Sequence, residues 1–195
     1  MEKENQRIAL TKRLLQEGLL RLLSRKELDK INITELCAES GINRVTFYRH
    51  YTCPHEILME IERDLLEELQ RSVKAPRSRQ DVKQYLNEIC AFLCRNTDLL
   101  KTVIRANTDK DFYTLFNEIL QELWQGDAFG CILDGLTPDE RNILGIYCSG
   151  GAYFVLRQWL LGNIQKTPQE IVDITYKMLC SVESAGITKL PEFTT

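Results

Sequence analysis

The spacing of apolar residues constrains the fold of this chain more than any other feature of its sequence. Apolar side chains recur every three or four positions, as at Leu15, Leu19 and Leu22, and this is the period of one helix face. Only ten glycines and five prolines interrupt the 195 residues, and no segment alternates apolar and polar residues for long enough to predict a strand. The sequence therefore predicts an all-α fold of about nine helices.

Turn and cap residues divide the N-terminal part of the chain into a long first helix and two short ones. Asn32 followed by Glu35 has the form of a capping box for the second helix. Gly41 favours a left-handed C-cap after about eight residues, and Asn43 favours an N-cap for a third helix of similar length that begins at Arg44. Two short helices joined by a glycine turn form the helix-turn-helix pattern, whose second helix enters the major groove of DNA.

The rest of the chain also has the pattern of helices, with one candidate domain boundary. Pro54 fits the first position of a fourth helix that runs to about Val73, and residues 75–79 have the composition of a linker. We therefore predict three parts, namely a helix-turn-helix DNA-binding domain at 1–53, a connecting helix at 54–74 and a second helical domain at 75–195. Further helices are predicted at about residues 80–95, 97–106, 109–125, 138–162 and 168–185.

Positive charge is concentrated at the N-terminal end. The whole chain has a formal net charge of −3, but residues 1–51 hold ten lysines or arginines against seven aspartates or glutamates. The rest of the chain holds fifteen against twenty-one. A basic end on an acidic body suits contact with a polyanion through one region only.

Composition argues against several other classes of protein. Residues 1–7 are too charged to begin a signal peptide, and the most apolar segment, 143–156, is too short to span a membrane, so a soluble cytoplasmic protein is expected. The seven cysteines include no Cys-x-x-Cys pair, and the only histidines are His50 and His55. Neither a metal site nor a cofactor is therefore predicted. The sequence also lacks a Gly-rich phosphate loop and a Gly-x-Ser-x-Gly turn, so no enzyme is predicted.

The third helix is expected to have two different faces. Phe47 and Tyr51 lie one helical turn apart and should face the core. The opposite face has no core to bury it, and its side chains supply hydrogen-bond donors for phosphate oxygens and base edges. Its outward residues are Arg44, Val45, Tyr48 and Arg49, flanked by Thr46 and His50.

At residues 31–51 the sequence resembles the DNA-binding signature of the TetR family of bacterial transcriptional regulators. The Gly41-Ile42-Asn43 turn and the run Thr46-Phe-Tyr-Arg-His-Tyr51 are the most specific parts of the match. The close resemblance covers roughly residues 8–70. Residues 150–161 also resemble the end of a TetR-like C-terminal domain that is common in Gram-positive bacteria.

The resemblance implies a homodimer that binds a double-stranded DNA operator, with helices 138–162 and 168–185 forming the subunit interface. It also implies a small-molecule pocket in the C-terminal domain, where binding changes the separation of the two recognition helices. Because aromatic residues are frequent in that domain and no Lys or Arg cluster is present, we expect an apolar or aromatic effector. The DNA contacts carried over by position are Thr34, Asn43, Arg44, Val45, Thr46, Tyr48 and His50.

One departure from the family pattern leaves two functions open. Family members commonly begin the fourth helix with Ser-Lys, the lysine contacting a phosphate, whereas this chain has Cys53-Pro54. The first interpretation is a ligand-responsive dimeric repressor. The second is a TetR-like adaptor or co-activator that acts mainly through a protein partner. Gly150 and Gly151 are equally ambiguous, because they could admit either a partner helix or a ligand.

Overall fold

The computed structural model describes residues 2–74, 76, 78–106, 113 and 136–184. These residues form eight α-helices and one short 3-10 helix, without a β-strand among them. The elements are α1 (Glu2–Leu23), the 3-10 helix (Leu28–Lys30), α2 (Ile33–Ser40), α3 (Arg44–Tyr48), α4 (Pro54–Ser72), α5 (Arg79–Arg95), α6 (Thr97–Ala106), α7 (Pro138–Leu160) and α8 (Pro168–Ser184). The all-α fold predicted from the apolar spacing is confirmed.

The chain packs as two compact units, one formed by Met1–Glu67 with Asp98–Phe112 and the other by Glu68–Thr97 with Tyr113–Thr195. The helix α6 therefore belongs to the same unit as α1, α2 and α3. Within the described ranges, no helix is both long enough and apolar enough to cross a membrane. The helix predicted at 109–125 lies outside the described residues, apart from position 113.

Each helix of the first unit buries one apolar face, as its sequence period requires. Burial of an aliphatic or aromatic side chain of this size contributes about 1.5–3 kcal/mol, so these faces hold the short helices in place. The fully buried side chains are Leu15 and Leu19 of α1, Leu36 of α2, Phe47 of α3, Ile57 of α4 and Val103 of α6.

The helices α1 and α2 approach each other unusually closely at Gly18. A β-carbon added to Gly18 would lie 2.9 Å from the β-carbon of Ser40, which is shorter than any normal contact. Two ion pairs flank this point, from Arg21 Nε to Glu39 at 2.7 Å and from Lys26 Nζ to Glu35 at 2.6 Å. The absence of a side chain at Gly18 therefore sets how deeply α2 sits against α1.

In the second unit, α5 packs against α8. Their shared core contains the buried side chains of Cys90, Ile171 and Val172. At the surface, Lys83 Nζ of α5 lies 2.8 Å from Asp173 Oδ1 of α8. The apolar contact and the ion pair together fix α5 beside α8.

Both α7 and α8 begin where the helices at 138–162 and 168–185 are predicted, and each starts at a Pro that follows a Thr. At the start of α7 the Thr137 hydroxyl accepts a hydrogen bond from Glu140 N–H, and the Glu140 carboxylate accepts one from Thr137 N–H. The same pair of bonds joins Thr167 and Glu170 at the start of α8. The predicted helix starts are therefore confirmed at both positions.

The two glycines in the middle of α7 have different surroundings. A β-carbon on Gly150 would lie 3.5 Å from the hydroxyl of Tyr113, whereas one on Gly151 would meet nothing within 4 Å. Gly151 lies on an exposed face with Ile143, Tyr147 and Phe154. A methyl group at Gly150 would thus make an ordinary van der Waals contact within the unit, and one at Gly151 would have no neighbour among the described residues.

The structure corrects two local expectations. The helix α3 spans five residues rather than about eight, because His50 N–H bonds to Phe47 O in a tight turn that ends the regular helix. The capping box expected at Asn32 forms only in part. The Asn32 side chain accepts from Glu35 N–H at 2.9 Å, but the Glu35 carboxylate takes the Lys26 ammonium instead.

Candidate nucleic-acid interface

The turn between α2 and α3 has the geometry that its sequence predicts. Gly41 adopts φ 69° and ψ 18°, a left-handed conformation that favours glycine. The backbone N–H of Ile42 then bonds to Cys37 O at 3.0 Å, which closes the end of α2. The Asn43 side chain accepts from Thr46 N–H at 2.8 Å and so caps α3. Together these bonds fix the start of α3 with respect to α2.

The helix α3 is buried on one side and exposed on the other. Phe47 has no exposed surface and Tyr51 is 5% exposed, whereas Val45 and Tyr48 are 67% and 53% exposed. A free-standing helix of five residues is not stable in water, so the buried pair Phe47 and Tyr51 must hold α3 in place. The predicted inward and outward faces are both confirmed.

The residues predicted to contact DNA divide into three groups. Thr34, Arg44, Val45 and Tyr48 are exposed on α2 and α3. Thr46 and His50 are half-buried at the flank. Asn43 is exposed, but its side-chain oxygen is used for the helix cap, which leaves its amide N–H groups for any other contact. All seven lie within the segment 34–50, and which of them contact DNA stays a prediction.

Ion pairing distinguishes α3 from the other basic parts of residues 1–51. Six of the ten cations in this region pair with carboxylates within the described residues, namely Lys12, Arg13, Arg21, Arg25, Lys26 and Lys30. Arg44 and Arg49, at either end of α3, have no carboxylate partner in the described ranges. Among the described side chains of residues 1–51, the arginines without a carboxylate partner are therefore Arg44 and Arg49 at the two ends of α3 and Arg7 of α1.

Past the end of α3, one carboxylate joins three elements of the first unit. Glu60 of α4 accepts a hydrogen bond from the Tyr51 hydroxyl at 2.5 Å and another from the Lys12 ammonium of α1 at 2.8 Å. Partial burial raises the pKa of Glu60, but the bonds from Lys12 and Tyr51 outweigh it and hold the pKa below its usual value. Burial and the bond to Glu60 raise the pKa of Tyr51, so the phenol stays protonated and donates.

The start of α4 is stabilised in a way that its sequence does not show. Pro54 is the first helical residue, as predicted, and Cys53 precedes it where a stronger cap is usual. The Glu56 carboxylate accepts bonds from both the backbone N–H and the hydroxyl of Thr52, at 2.7 and 2.6 Å. His55, one residue earlier, lies 3.3 Å from Asp29.

Three residues of this region are absent from the set predicted to contact DNA. Lys12 and Glu60 are separated by 48 positions, and no local pattern indicates that they meet. Arg49 could have been included, because it lies on the outward side of the predicted third helix. The sequence does not show which cations form ion pairs, so it does not distinguish Arg49 from the paired cations of the described residues.

Known proteins resemble this chain in sequence and in fold. The family model TetR_C_8, described as a transcriptional regulator C-terminal region, matches residues 80–181, which is more than half of the chain. The chain is also 21% identical over 171 residues to YxbF of Bacillus subtilis (strain 168), an HTH-type transcriptional regulator. The match covers 85% of this chain and 43% of YxbF, so the chain spans less than half the length of that relative.

Solved structures share the fold over nearly the whole chain. A TetR regulator from Streptococcus agalactiae 2603V has a TM-score of 0.65 at 21% identity and covers 91% of this chain and 98% of its own. A putative TetR-family regulator from Syntrophomonas wolfei has a TM-score of 0.70 at 15% identity, with complete coverage of both chains. The dihydroxyacetone kinase operon activator DhaS has a TM-score of 0.61 at 15% identity, covering 90% and 97%.

The helical fold and the capped helix-turn-helix define the class of helix-turn-helix transcriptional regulators. Within that class, the chain belongs to the TetR family. The resemblance seen in the sequence is therefore confirmed, as is the prediction of a regulator rather than an enzyme.

Proposed function

We propose that this chain is a sequence-specific DNA-binding regulator that acts in the cytoplasm, where bacterial DNA lies. The observation that carries the proposal is the exposed face of α3. Arg44 and Arg49, at the two ends of this helix, have no carboxylate partner within the described part of the chain, and they lie next to the exposed side chains of Val45 and Tyr48. Arginine forms bidentate contacts to guanine and to phosphate, and an apolar side chain such as valine fits a thymine methyl. The seven residues from Thr34 to His50 named above would form the contact surface.

The proposed unit of binding is a homodimer. The exposed apolar side chains of α7 and α8 include Ile143, Tyr147, Phe154, Ile174 and Met178. Exposed apolar side chains on two helices that follow each other in the chain suit a second copy of the same surface, because symmetric pairing covers both copies at once. Gly151 lies within it and lets a partner helix approach closely. We retain residues 75–195 as the dimerisation part and residues 1–53 as the DNA-binding part.

Selection from a pool of random DNA duplexes tests the proposal directly. A dimer should enrich two inverted half-sites whose spacing matches one or more helical turns of DNA, about 34–36 Å each. Recovery of no enriched sequence from the wild-type protein would contradict sequence-specific binding.

We further propose that a small apolar or aromatic molecule controls binding, as in a ligand-responsive repressor. The supporting observation is Ser149 of α7, which is 1% exposed and whose hydroxyl has no hydrogen-bond partner within the described part of the chain. A buried hydroxyl without a partner costs about 1–3 kcal/mol, and a polar group of a bound molecule would remove that cost. An effector with coupling of ~1–3 kcal/mol should weaken duplex binding about 5- to 150-fold.

A thermal-shift screen followed by duplex binding tests the effector. A stabilising compound that acts through Ser149 should lose affinity for Ser149→Ala, and it should release the duplex from wild-type protein. A compound that stabilises the fold and leaves duplex affinity unchanged would not be an effector.

The second candidate function is an adaptor or co-activator that works through a protein partner. Two observations favour it, namely Pro54 in place of the family's phosphate-binding lysine and the similarity in fold to DhaS, a protein described as an operon activator. This function predicts weak binding to every duplex and a partner protein that binds the C-terminal unit. Strong enrichment of one duplex sequence by the protein alone would reject it.

A further inference from the structure

The orientation of α3 depends on side chains beyond its own end. The helix has five residues, too few to be stable without tertiary contacts. Its N-terminal end is fixed by the Asn43 cap and the Gly41 turn. At its C-terminal end, the backbone N–H groups of His50 and Tyr51 both bond to Phe47 O, at 2.9 and 3.0 Å. The Tyr51 side chain therefore moves together with the Tyr48–His50 end of the helix.

Within the described residues, the side chain of Tyr51 makes one hydrogen bond, through its hydroxyl. Its ring packs near Phe47, with centroids 6.2 Å apart, and apolar packing of this kind permits small rotations. The Tyr51 hydroxyl instead donates to one oxygen of Glu60, and the Lys12 ammonium donates to the other. Lys12 Nζ also lies 5.5 Å from the centroid of the Tyr51 ring. Each carboxylate oxygen thus has one donor, and the two donors come from different elements.

Within the described residues, the two carboxylates one turn from Glu60 on α4 have other surroundings. Glu56, one turn earlier on α4, accepts both of its bonds from Thr52. The charge of Asp64, one turn later, helps to raise the pKa of Tyr51. The charge of Arg63 helps to lower the pKa of Glu60. Among these groups, only Glu60 is hydrogen-bonded to the side chain that follows α3.

We propose that Glu60 is a positioning residue of the DNA-binding surface: it fixes Tyr51, and through Tyr51 the Tyr48–His50 end of α3, against α1 and α4. The proposal rests on the proposed DNA-binding function and extends it to residues that do not touch DNA. Contacts to bases and phosphates need side chains held to within about 0.5 Å, and hydrogen bonds from a second layer of residues supply that precision. Bonds to a charged group are about twice as strong as neutral ones, so Glu60 suits this role.

The test compares Tyr51→Phe with Tyr85→Phe on the duplex that the wild-type protein selects. Both tyrosines are 5% exposed, and each change removes only a hydroxyl, but Tyr85 lies in the second unit. Loss of a bond to a charged group should weaken duplex binding about 10-fold or more in Tyr51→Phe. Tyr85→Phe should bind as the wild-type protein does. Thermal unfolding of each variant shows that the protein is folded at the assay temperature.

Two further measurements distinguish a loss of α3 positioning from a general loss of stability in Tyr51→Phe. In a Glu60→Leu background, Tyr51→Phe should weaken binding no further, because both changes remove the same contact. Hydrogen exchange at the amides of His50 and Tyr51 should become faster in Tyr51→Phe, while the amides of Leu15 and Leu19 in the core of α1 keep their protection. If Tyr51→Phe does not fold, Lys12→Met removes the other donor from a more exposed position, with Arg13→Met as its control for lost charge.

Each outcome either supports or overturns the role proposed for Glu60. Weaker duplex binding by Tyr51→Phe or Lys12→Met, with unchanged binding by the controls, supports the role of Glu60. Equal affinity of wild-type protein and Tyr51→Phe overturns this role and leaves the proposed function standing. If the wild-type protein selects no duplex, the proposed function and this role are both overturned. Additive losses in the Glu60→Leu background would also contradict it.

Discussion

A β-carbon on Gly18 of α1 would lie 2.9 Å from the β-carbon of Ser40 of α2. Gly18→Ala would therefore push α2 away from α1, although alanine favours an isolated helix by about 1 kcal/mol over glycine. We expect a net loss of about 1–3 kcal/mol in the free energy of unfolding, measured by urea denaturation. The double variant Gly18→Ala, Ser40→Gly should recover part of the loss. An unchanged or increased stability of Gly18→Ala would show that α1 and α2 separate without cost.

Substitutions at Asn43 can distinguish its role as the N-cap of α3 from its predicted role in DNA contact. Asn43→Ala should lower the free energy of unfolding by about 0.5–2 kcal/mol, because Thr46 N–H loses its acceptor. Asn43→Asp keeps the acceptor and should be close to wild type in stability, but its negative charge should weaken duplex binding. Asn32→Ala is the matched control, since it removes the same kind of cap from α2 at a position not predicted to touch DNA. If Asn43→Asp were as unstable as Asn43→Ala, the cap geometry would be wrong.

Local signals in the sequence were sufficient to predict most of the fold. Gly41, Asn43 and the two Thr-Pro helix starts each act within a few residues, so the sequence around them determines where a helix begins or ends. The same holds for the faces of α3, because the burial of Phe47 follows from the apolar period. Family resemblance then identified the segment from Thr34 to His50 as the candidate site.

Contacts between distant residues could not be predicted in this way. The meeting of Lys12, Tyr51 and Glu60 depends on the packing of α1 against α4, and the pairing of Glu35 with Lys26 depends on the loop between α1 and α2. The local capping box at Asn32 was predicted in full and forms in part, because a tertiary ion pair competes for the same carboxylate. Charge counting found the basic N-terminal end, but only the structure shows which of its cations are already neutralised.

The exposed apolar residues of α7 and α8 predict a dimer interface that a single introduced charge should disrupt. Tyr147 is 75% exposed, and Tyr147→Glu places a carboxylate in the middle of the proposed interface, where burial without a partner is costly. Wild-type protein should sediment at twice the 22.7 kDa chain mass, and Tyr147→Glu should shift toward the mass of one chain. Met59→Glu, at an exposed apolar residue of the first unit, should leave the dimer intact. A monomeric wild-type protein at micromolar concentration would contradict the proposed interface.

The start of α8 should make stability sensitive to acid. Bonds from Lys166 and from Thr167 lower the pKa of Glu170 from its ordinary value of 4.5 to about 2. A carboxyl group with a lowered pKa in the folded state adds stability above its unfolded pKa, and this contribution disappears as the pH falls through its folded pKa. The difference in free energy of unfolding between wild type and Glu170→Gln should therefore shrink between about pH 4.5 and pH 2. A difference that stays constant over this range would refute the assignment, and Glu4→Gln serves as the exposed control.

Arg44 and Arg49, which have no carboxylate partner among the described residues, provide the most direct test of the proposed function. The variants Arg44→Ala, Arg49→Ala and Arg13→Ala should be compared at several salt concentrations. The quantity to measure is the affinity of each variant for the duplex that the wild-type protein selects. Arg13 is an exposed cation that already pairs with Glu17, so its removal should change the affinity little. Arg44→Ala should cost ~1–3 kcal/mol, and loss of a phosphate contact at Arg49 should reduce the salt slope by about 1. Equal affinities and equal salt slopes for all three variants would contradict the account, because α3 would then not be the surface that binds DNA.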